Sequence, residues 1–264
     1  MMHKRYAKSL RSFTSQQKNM STNFHNKTIA QKYHWAKQEE LLLLPAYAEL
    51  IGNTKKKIIL DIGCGTGWLT KLLAKNAKRM IAIDNSKYFI NIAKETYPAK
   101  NTTYHTLNAI NLNKIKKNFD LIISSFTLQL LTPEKKLLAT LKKCHAKLKD
   151  QGHLVILVPH PCFINQNNRT YNQYIFPTEF NYFTCPQKYF VKLKSIKGQV
   201  KFEGNFYNLS TYTKLFKQAG LVITDIIEPQ VTKELRKKYP KLWSLELKKP
   251  FYILFKLQKQ KTLP

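Results

Sequence analysis

The sequence predicts a doubly wound α/β fold built on a mostly parallel, seven-stranded sheet. Three observations predict it. Apolar runs of strand length recur along the chain, helix-periodic stretches separate them, and a glycine-rich turn joins the first run to the first helix, as IILDIGCGTGWLT over residues 58–70. The runs fall at 57–63, 79–85, 102–108, 119–125, 153–159, 221–227 and 251–257. Most are apolar at nearly every position, as strands covered on both faces must be. Helical spacing is read over 67–77, 86–97, 134–149 and 210–220. Residues 22–50 read as helices that lead into the first strand and pack as a lid over the sheet's C-terminal edge, with apolar positions in EELLLLPAYAELIG. Residues 160–208 break the alternation and carry twelve Phe or Tyr, which marks an insertion acting as a cap on the substrate side. The expected organisation is therefore a basic, disordered arm over 1–22, lid helices and a cofactor-binding core over 23–159, the cap over 160–208, and completion of the core over 209–264.

The chain has 264 residues, enough for one α/β unit with an insertion. No apolar run is long enough to span a membrane and the N-terminal residues lack a secretory signal's apolar centre, so a soluble, cytoplasmic protein is expected. Cys64, Cys144, Cys162 and Cys185 are scattered, without a CxxC pair, and read as reduced thiols rather than a disulfide scaffold or zinc site. No metal is expected. The formal charge is +30, from 45 Lys+Arg against 15 Asp+Glu. Such a field attracts polyanions, yet the lysines are spread through every segment rather than gathered in a stripe. Residues 1–37, with eight Lys or Arg and no acid, are the sharpest candidate for such a contact.

In a parallel sheet the loop after the first strand faces the crevice where ligands bind. Gly63, Gly65 and Gly67 let the backbone turn sharply and pass close to a ligand, because no Cβ intrudes. The helix that follows presents free N–H groups. The spacing G-x-G-x-G departs from the dinucleotide fingerprint, whose third glycine comes one residue later, and no Gly-Lys-Ser/Thr follows to make a Walker loop. Asp84 closes the second strand, where a carboxylate can accept hydrogen bonds from both hydroxyls of a ribose.

These motifs, in this order, resemble class I S-adenosylmethionine-dependent methyltransferases, in particular the group that includes ubiquinone-type and other small-molecule enzymes. The resemblance rests on LDIGCGTG (60–67), IAIDNS (81–86), TLNAINL (106–112), FDLIISSFTLQLL (119–131) and LKDQGHLVILVP (148–159), and resumes at LSTYTKLFKQAGLVITDIIEP (209–229). It implies a Rossmann-like fold, S-adenosyl-L-methionine as cofactor and methyl transfer as activity. Asp61 then orients the glycine turn or meets the cofactor's amino group, and Gly63, Cys64, Gly65 and Gly67 line its methionine moiety. Asp84, with Asn85 beside it, holds the ribose. Asn108 stands where the family usually has an Asp bonded to the adenine amino group, with Ala109 packing nearby; an Asn carbonyl can accept that bond without the charge. Ser124 and Ser125 face the methionine part, and Tyr33 closes over it.

Transfer from a sulfonium mainly requires the acceptor to be positioned and desolvated, and a hydroxyl acceptor also benefits from a general base. His160, directly after the fifth strand, is the candidate base, followed by Tyr33 and His34. The alternative for His160 is a turn residue fixed by flanking prolines. Aromatics of the insertion, among them Phe163, Tyr171, Tyr174, Phe176 and Tyr189, suggest an apolar pocket for a small molecule, apolar or anionic. Interleaved with Lys188, Lys192, Lys194 and Lys197, they could instead stack unpaired bases. No RNP sequence or GXXG loop is present, and SSFT stands where amino-methylating enzymes of nucleic acids carry an N-P-P-Y-type tetrapeptide. A small-molecule acceptor is thus the leading expectation. The alternatives are an RNA methyltransferase using the basic surface and a non-catalytic cofactor-binding scaffold or sensor. The sequence does not fix the oligomeric state.

Overall fold

A computed structural model describes residues 25–32, 37–164, 172–176, 179–195, 198–240, 243 and 249–260. Its main sheet has seven strands: β1 (Ile58–Ile62), β2 (Arg79–Asp84), β3 (Thr102–Thr106), β4 (Phe119–Ser125), β5 (Leu148–Pro159), β9 (Leu221–Ile227) and β10 (Tyr252–Lys259). They are ordered β3-β2-β1-β4-β5-β10-β9. All neighbours run parallel except β10, which is antiparallel to both β5 and β9. Strand order reverses between β1 and β4, and the loops at that switch point border the crevice.

The continuous apolar strands are explained by two cores, one on each face. Side chains alternate along a strand, so Leu60 and Ile62 enter one core while Ile59 enters the other. Ile122 opposes Leu121 and Ile123, and Leu154 and Ile156 oppose Val155 and Leu157, in the same way. The first core is closed by α5 (Glu134–Lys147), through Leu137 and Leu141, and by α6 (Leu209–Gln218), through Tyr212, Leu215 and Phe216. The second is closed by α2 (Lys37–Ile51), whose Leu43, Tyr47 and Leu50 are buried against it. It falls within the 22–50 segment expected to form lid helices, and it packs on one face of the sheet. Short helices α1 (Lys27–Lys32), α3 (Trp68–Ala74), α4 (Lys87–Thr96) and α7 (Lys233–Lys238) complete the fold; α7 buries none of its residues.

Residues of the insertion form a separate antiparallel sheet of β6 (Asn172–Ile175), β7 (Gln187–Ser195) and β8 (Gly198–Phe206). Its aromatics pack mainly on one another. Phe206 meets Phe176, Phe180 and Tyr182 at ring-centroid distances of 6.3, 5.0 and 5.8 Å. With Tyr174, Tyr189 and Val191 they make a small core of their own. Among the described residues, no helix is long and apolar enough to cross a membrane.

Candidate active site

The register of β1 and β2 builds the turn. Ile62 pairs with Ile83, so Asp84 reaches one residue beyond the end of β1. The N–H groups of Gly63 and Cys64 both donate to the Ile83 carbonyl, at 2.7 and 3.0 Å, which folds the glycine turn down onto the tip of β2. Asp84 Oδ2 accepts from the Gly65 N–H at 3.0 Å and Oδ1 from the Ser86 N–H at 2.8 Å. One carboxylate thereby pins the turn, while Ser86 caps the start of α4. Beneath it, Asp61 is 1% exposed and accepts from the Thr70 hydroxyl at 2.6 Å.

Two glycines of the turn do different work. A Cβ on Gly63, whose φ is +72°, would lie 2.0 Å from Thr127 Oγ1. A Cβ on Gly65, with φ +53°, would meet nothing within 4 Å. Gly63 is needed for packing against the end of β4, whereas Gly65 keeps open space beside the turn.

That space is a cavity of about 340 Å³, within the usual size of ligand pockets. Of the residues expected at a cofactor site, Asp61, Gly63, Cys64, Gly65, Asp84, Asn85, Asn108, Ala109 and Ser125 line it. Gly67 and Ser124 do not. Gly67 backs onto α4 and β3, where an added Cβ would lie 2.9 Å from Ala93 Cβ, and Ser124 points into the protein, fully buried. Asn108 Oδ1 accepts from the Ile110 N–H at 3.0 Å, so it caps the 3-10 turn Ala109–Lys114 at the cavity wall. Ser125 Oγ is hydrogen-bonded to the Tyr47 hydroxyl, which ties α2 to the end of β4.

His160 has a different place from the one expected. It is 3% exposed and does not line the cavity. Its Nδ1 accepts from the Cys162 N–H at 3.2 Å, so Nε2 carries the proton and donates to Glu228 Oε1 at 2.6 Å. The ring packs on Phe163, centroids 5.0 Å apart. His160 thus ties down the turn that leaves β5 through Glu228 and the Cys162 N–H, away from the cavity where a base was expected. Tyr33 and His34 lie outside the described residues, as do Tyr171 and Lys197.

Several lining residues had not been expected. Glu39 enters from α2, 6% exposed, and its Oε1 accepts from the Tyr252 hydroxyl at 2.9 Å. Its signal was two acids at the start of an otherwise apolar helix. Phe126, in the left-handed region at φ +51°, turns the chain after β4 and packs edge-on to Tyr252 at 5.3 Å. Gln129 lies in the short turn Leu128–Leu130, 3% exposed, and its Oε1 has no hydrogen-bond partner among the described residues. From the insertion come Tyr174 and Tyr189, which the sequence had placed in a pocket wall, together with Val191, Phe202, Glu203 and Asn205. Asn205 Nδ2 donates to the Leu130 carbonyl at 3.4 Å and joins the second sheet to that turn.

Burial governs the electrostatics. Desolvation pushes Asp61 up to about 7 from 3.8, opposed by the Thr70 hydrogen bond and assisted by the charge on Asp84. Asp84 is also raised by burial, with the Ser86 and Gly65 N–H groups pulling the other way. The Cys64 thiol is held well above its usual value by burial and by both carboxylates, so it stays protonated and is no nucleophile.

The profile of the methyltransferase domain family matches residues 59–152. A malonyl-[acyl-carrier protein] O-methyltransferase from Priestia megaterium is 36% identical over 99 residues, which is 37% of this chain and 35% of that protein. A ubiquinone biosynthesis O-methyltransferase from Coxiella burnetii is 27% identical over 182 residues, 68% of this chain and 70% of that protein. The matches to the first curated relatives span only 34 to 50% of their lengths. Among solved structures, an S-adenosylmethionine dependent methyltransferase from Mesorhizobium loti has a TM-score of 0.63 at 20% identity, covering 81% of this chain and 96% of that one, a likeness of fold. The glycine turn, the acid-tipped second strand and the sheet order agree with these matches: residues 59–152 match the methyltransferase domain family, and the main sheet has the fold of S-adenosylmethionine-dependent methyltransferases.

Proposed function

We propose that the protein transfers a methyl group from S-adenosylmethionine to a small molecule bound between the core and the aromatic second sheet. The observation that carries this reading is the continuity of the cavity, which is lined at once by the glycine turn with Asp61 and Asp84 and by Tyr174, Tyr189 and Glu203 of the insertion. The residues present fit the cofactor. Gly65 leaves open the space a side chain would fill, and Asp84 stands at the tip of β2 with one backbone N–H on each oxygen, so each retains capacity for a ribose hydroxyl. Asp61 offers a buried carboxylate to an ammonium group. Bound there, S-adenosylmethionine supplies a methyl group already activated by its sulfonium, so the acceptor needs positioning, desolvation and, where its atom carries a proton, a base.

For that base we assign Glu39. It is buried, lines the cavity and is oriented by the Tyr252 hydroxyl, whereas His160 is committed to Glu228 and the backbone of Cys162. Methyl-labelled S-adenosylmethionine incubated with the protein and a small-molecule extract is expected to label an extractable product. Glu39→Gln should lower turnover by about a hundredfold, the usual scale of a general base, with S-adenosylhomocysteine affinity retained. Unchanged turnover in Glu39→Gln removes Glu39 from this role, and label that no small molecule accepts removes the small-molecule reading.

A further inference from the structure

The fold gathers lysines that the sequence scatters. Because β1, β2 and β4 run parallel, the segments that enter them share one edge of the sheet and the loops that leave them share the other. The leaving loops, GCGTG (63–67), NS (85–86) and FTLQLLTP (126–133), contain no charged residue and border the cavity. The entering segments, GNTKKK (52–57), KNAKR (75–79) and IKKN (115–118), contain eight Lys or Arg and no acid. A uniform excess of lysine would load both edges alike.

Backbone contacts press the entering segments together. The N–H groups of Lys78 and Arg79 both donate to the Lys57 carbonyl, at 2.9 and 3.3 Å, and Lys55 forms an antiparallel bridge with Ala77. The Ile58 N–H donates to Asp120 Oδ2 at 2.7 Å, which sets the start of β1 against that of β4. Neighbouring strands lie about 4.8 Å apart, so the three segments fit along roughly 10 Å of edge. Lys57 is half-buried and the other seven cations are exposed. The nearby carboxylates Asp120 and Asp150 are each met by a further lysine, Lys149 at 2.8 Å and Lys259 at 3.3 Å. Like charges held so close repel one another in the free protein, and a polyanion relieves that repulsion.

We propose that this edge, opposite the cavity, binds the phosphate backbone of a duplex nucleic acid. Lys and Arg alone suffice for such contacts, which supply nearly all of non-specific affinity. Stable attachment to a membrane requires an apolar or acyl anchor as well as charge. Among the described residues the large apolar side chains that stand exposed are Phe183, Val222 and Ile226, none of them in these segments. A protein partner would be met by aromatic anchors at a desolvated centre, and the three segments hold no aromatic residue. The same lack of rings removes base stacking, so the contact is independent of sequence. The length of β1, roughly 16 Å, separates this edge from the cavity. Nucleic acid bound here localises the protein and is not the methyl acceptor.

The test is fluorescence anisotropy of a labelled DNA duplex with the full chain over a series of salt concentrations. Log affinity should fall against log salt with a slope of about −4, from four or five neutralised phosphates. Lys55→Gln, Lys78→Gln and Lys116→Gln combined should weaken binding at least about tenfold and make the slope shallower by about 2 to 3. The same charge removed from α7, as Lys233→Gln, Lys237→Gln and Lys238→Gln, should change affinity by less than about threefold, because distant exposed charges are screened. S-adenosylhomocysteine affinity should be unchanged in both triple variants, and saturation with it should leave duplex affinity unaltered. Equal weakening in the two variants assigns binding to net charge and overturns the inference. So does absence of duplex binding, or competition between duplex and S-adenosylhomocysteine, which would put the duplex in the cavity. Binding to phosphatidylglycerol vesicles that exceeds duplex binding and is lost in the first variant gives the edge to a membrane and overturns it as well.

Discussion

Gly63 and Gly65 are two residues apart, share a positive φ and answer to different constraints. Gly63→Ala would force a methyl group against Thr127 in a left-handed backbone and should cost a few kcal/mol of stability, read as a fall in Tm. Gly65→Ala meets no atom, so its cost is limited to backbone strain of about 1 kcal/mol, but it should impair S-adenosylhomocysteine binding by intruding on the cavity. Equal losses of stability in both variants would contradict this division. Asp61 adds a pH dependence. Its folded pKa is raised to about 7 from 3.8, so ionisation is disfavoured in the folded protein and the stability linked to this group, full below 3.8, falls as pH rises toward 7. A cationic amino group favours the ionised form. Affinity for S-adenosylhomocysteine should therefore increase several-fold from about pH 6 to about pH 8, and Asp61→Asn should flatten that profile. A profile of equal slope in the variant would assign the titration elsewhere.

At the scale of elements, the second sheet is held chiefly by its own aromatics. Phe206 is 2% exposed and touches three rings. Phe206→Ala should remove roughly 3–5 kcal/mol from that cluster, enough to raise hydrogen exchange in β7 and β8 while β1, β2 and β4 remain protected. S-adenosylhomocysteine affinity should change little and methyl transfer should fall. Uniform loss of protection across both sheets would show one cooperative core instead. The same contrast explains what the sequence made legible. The core strands could be read because burial on both faces writes them as continuous apolar runs, as in β1 and β5. The second sheet could not, because β7 and β8 mix lysines with rings and carry no such run. Cavity-lining residues within a motif, such as Asp84 and Gly65, were readable from local spacing. Glu39, Gln129 and Glu203 were not, since only the folded chain brings α2, the turn after β4 and β8 to one cavity. His160 stands directly after β5, as the sequence shows, but its partners, Glu228 and the Cys162 N–H, are visible only in three dimensions.

For the whole molecule, charge is partitioned. Carboxylates that line the cavity are withdrawn from a surface on which Lys and Arg predominate, so the field that steers anions toward the exterior is opposed within the hollow. The sheet order reverses beside β1 and places both buried Asp residues at that point, and the insertion's sheet brings its apolar wall to the same cavity. One cavity is thus lined both by the main core and by a separately packed sheet, which the proposed function assigns to cofactor and acceptor respectively.

The most direct test is titration of the purified chain with S-adenosylhomocysteine alongside Asp84→Ala. Saturable one-site binding is expected for the unmodified protein, weakened by about a hundredfold or more in the variant through loss of two charge-assisted hydrogen bonds to the ribose. No binding by the unmodified protein, or equal affinity in Asp84→Ala, would contradict the assignment of this cavity to the cofactor.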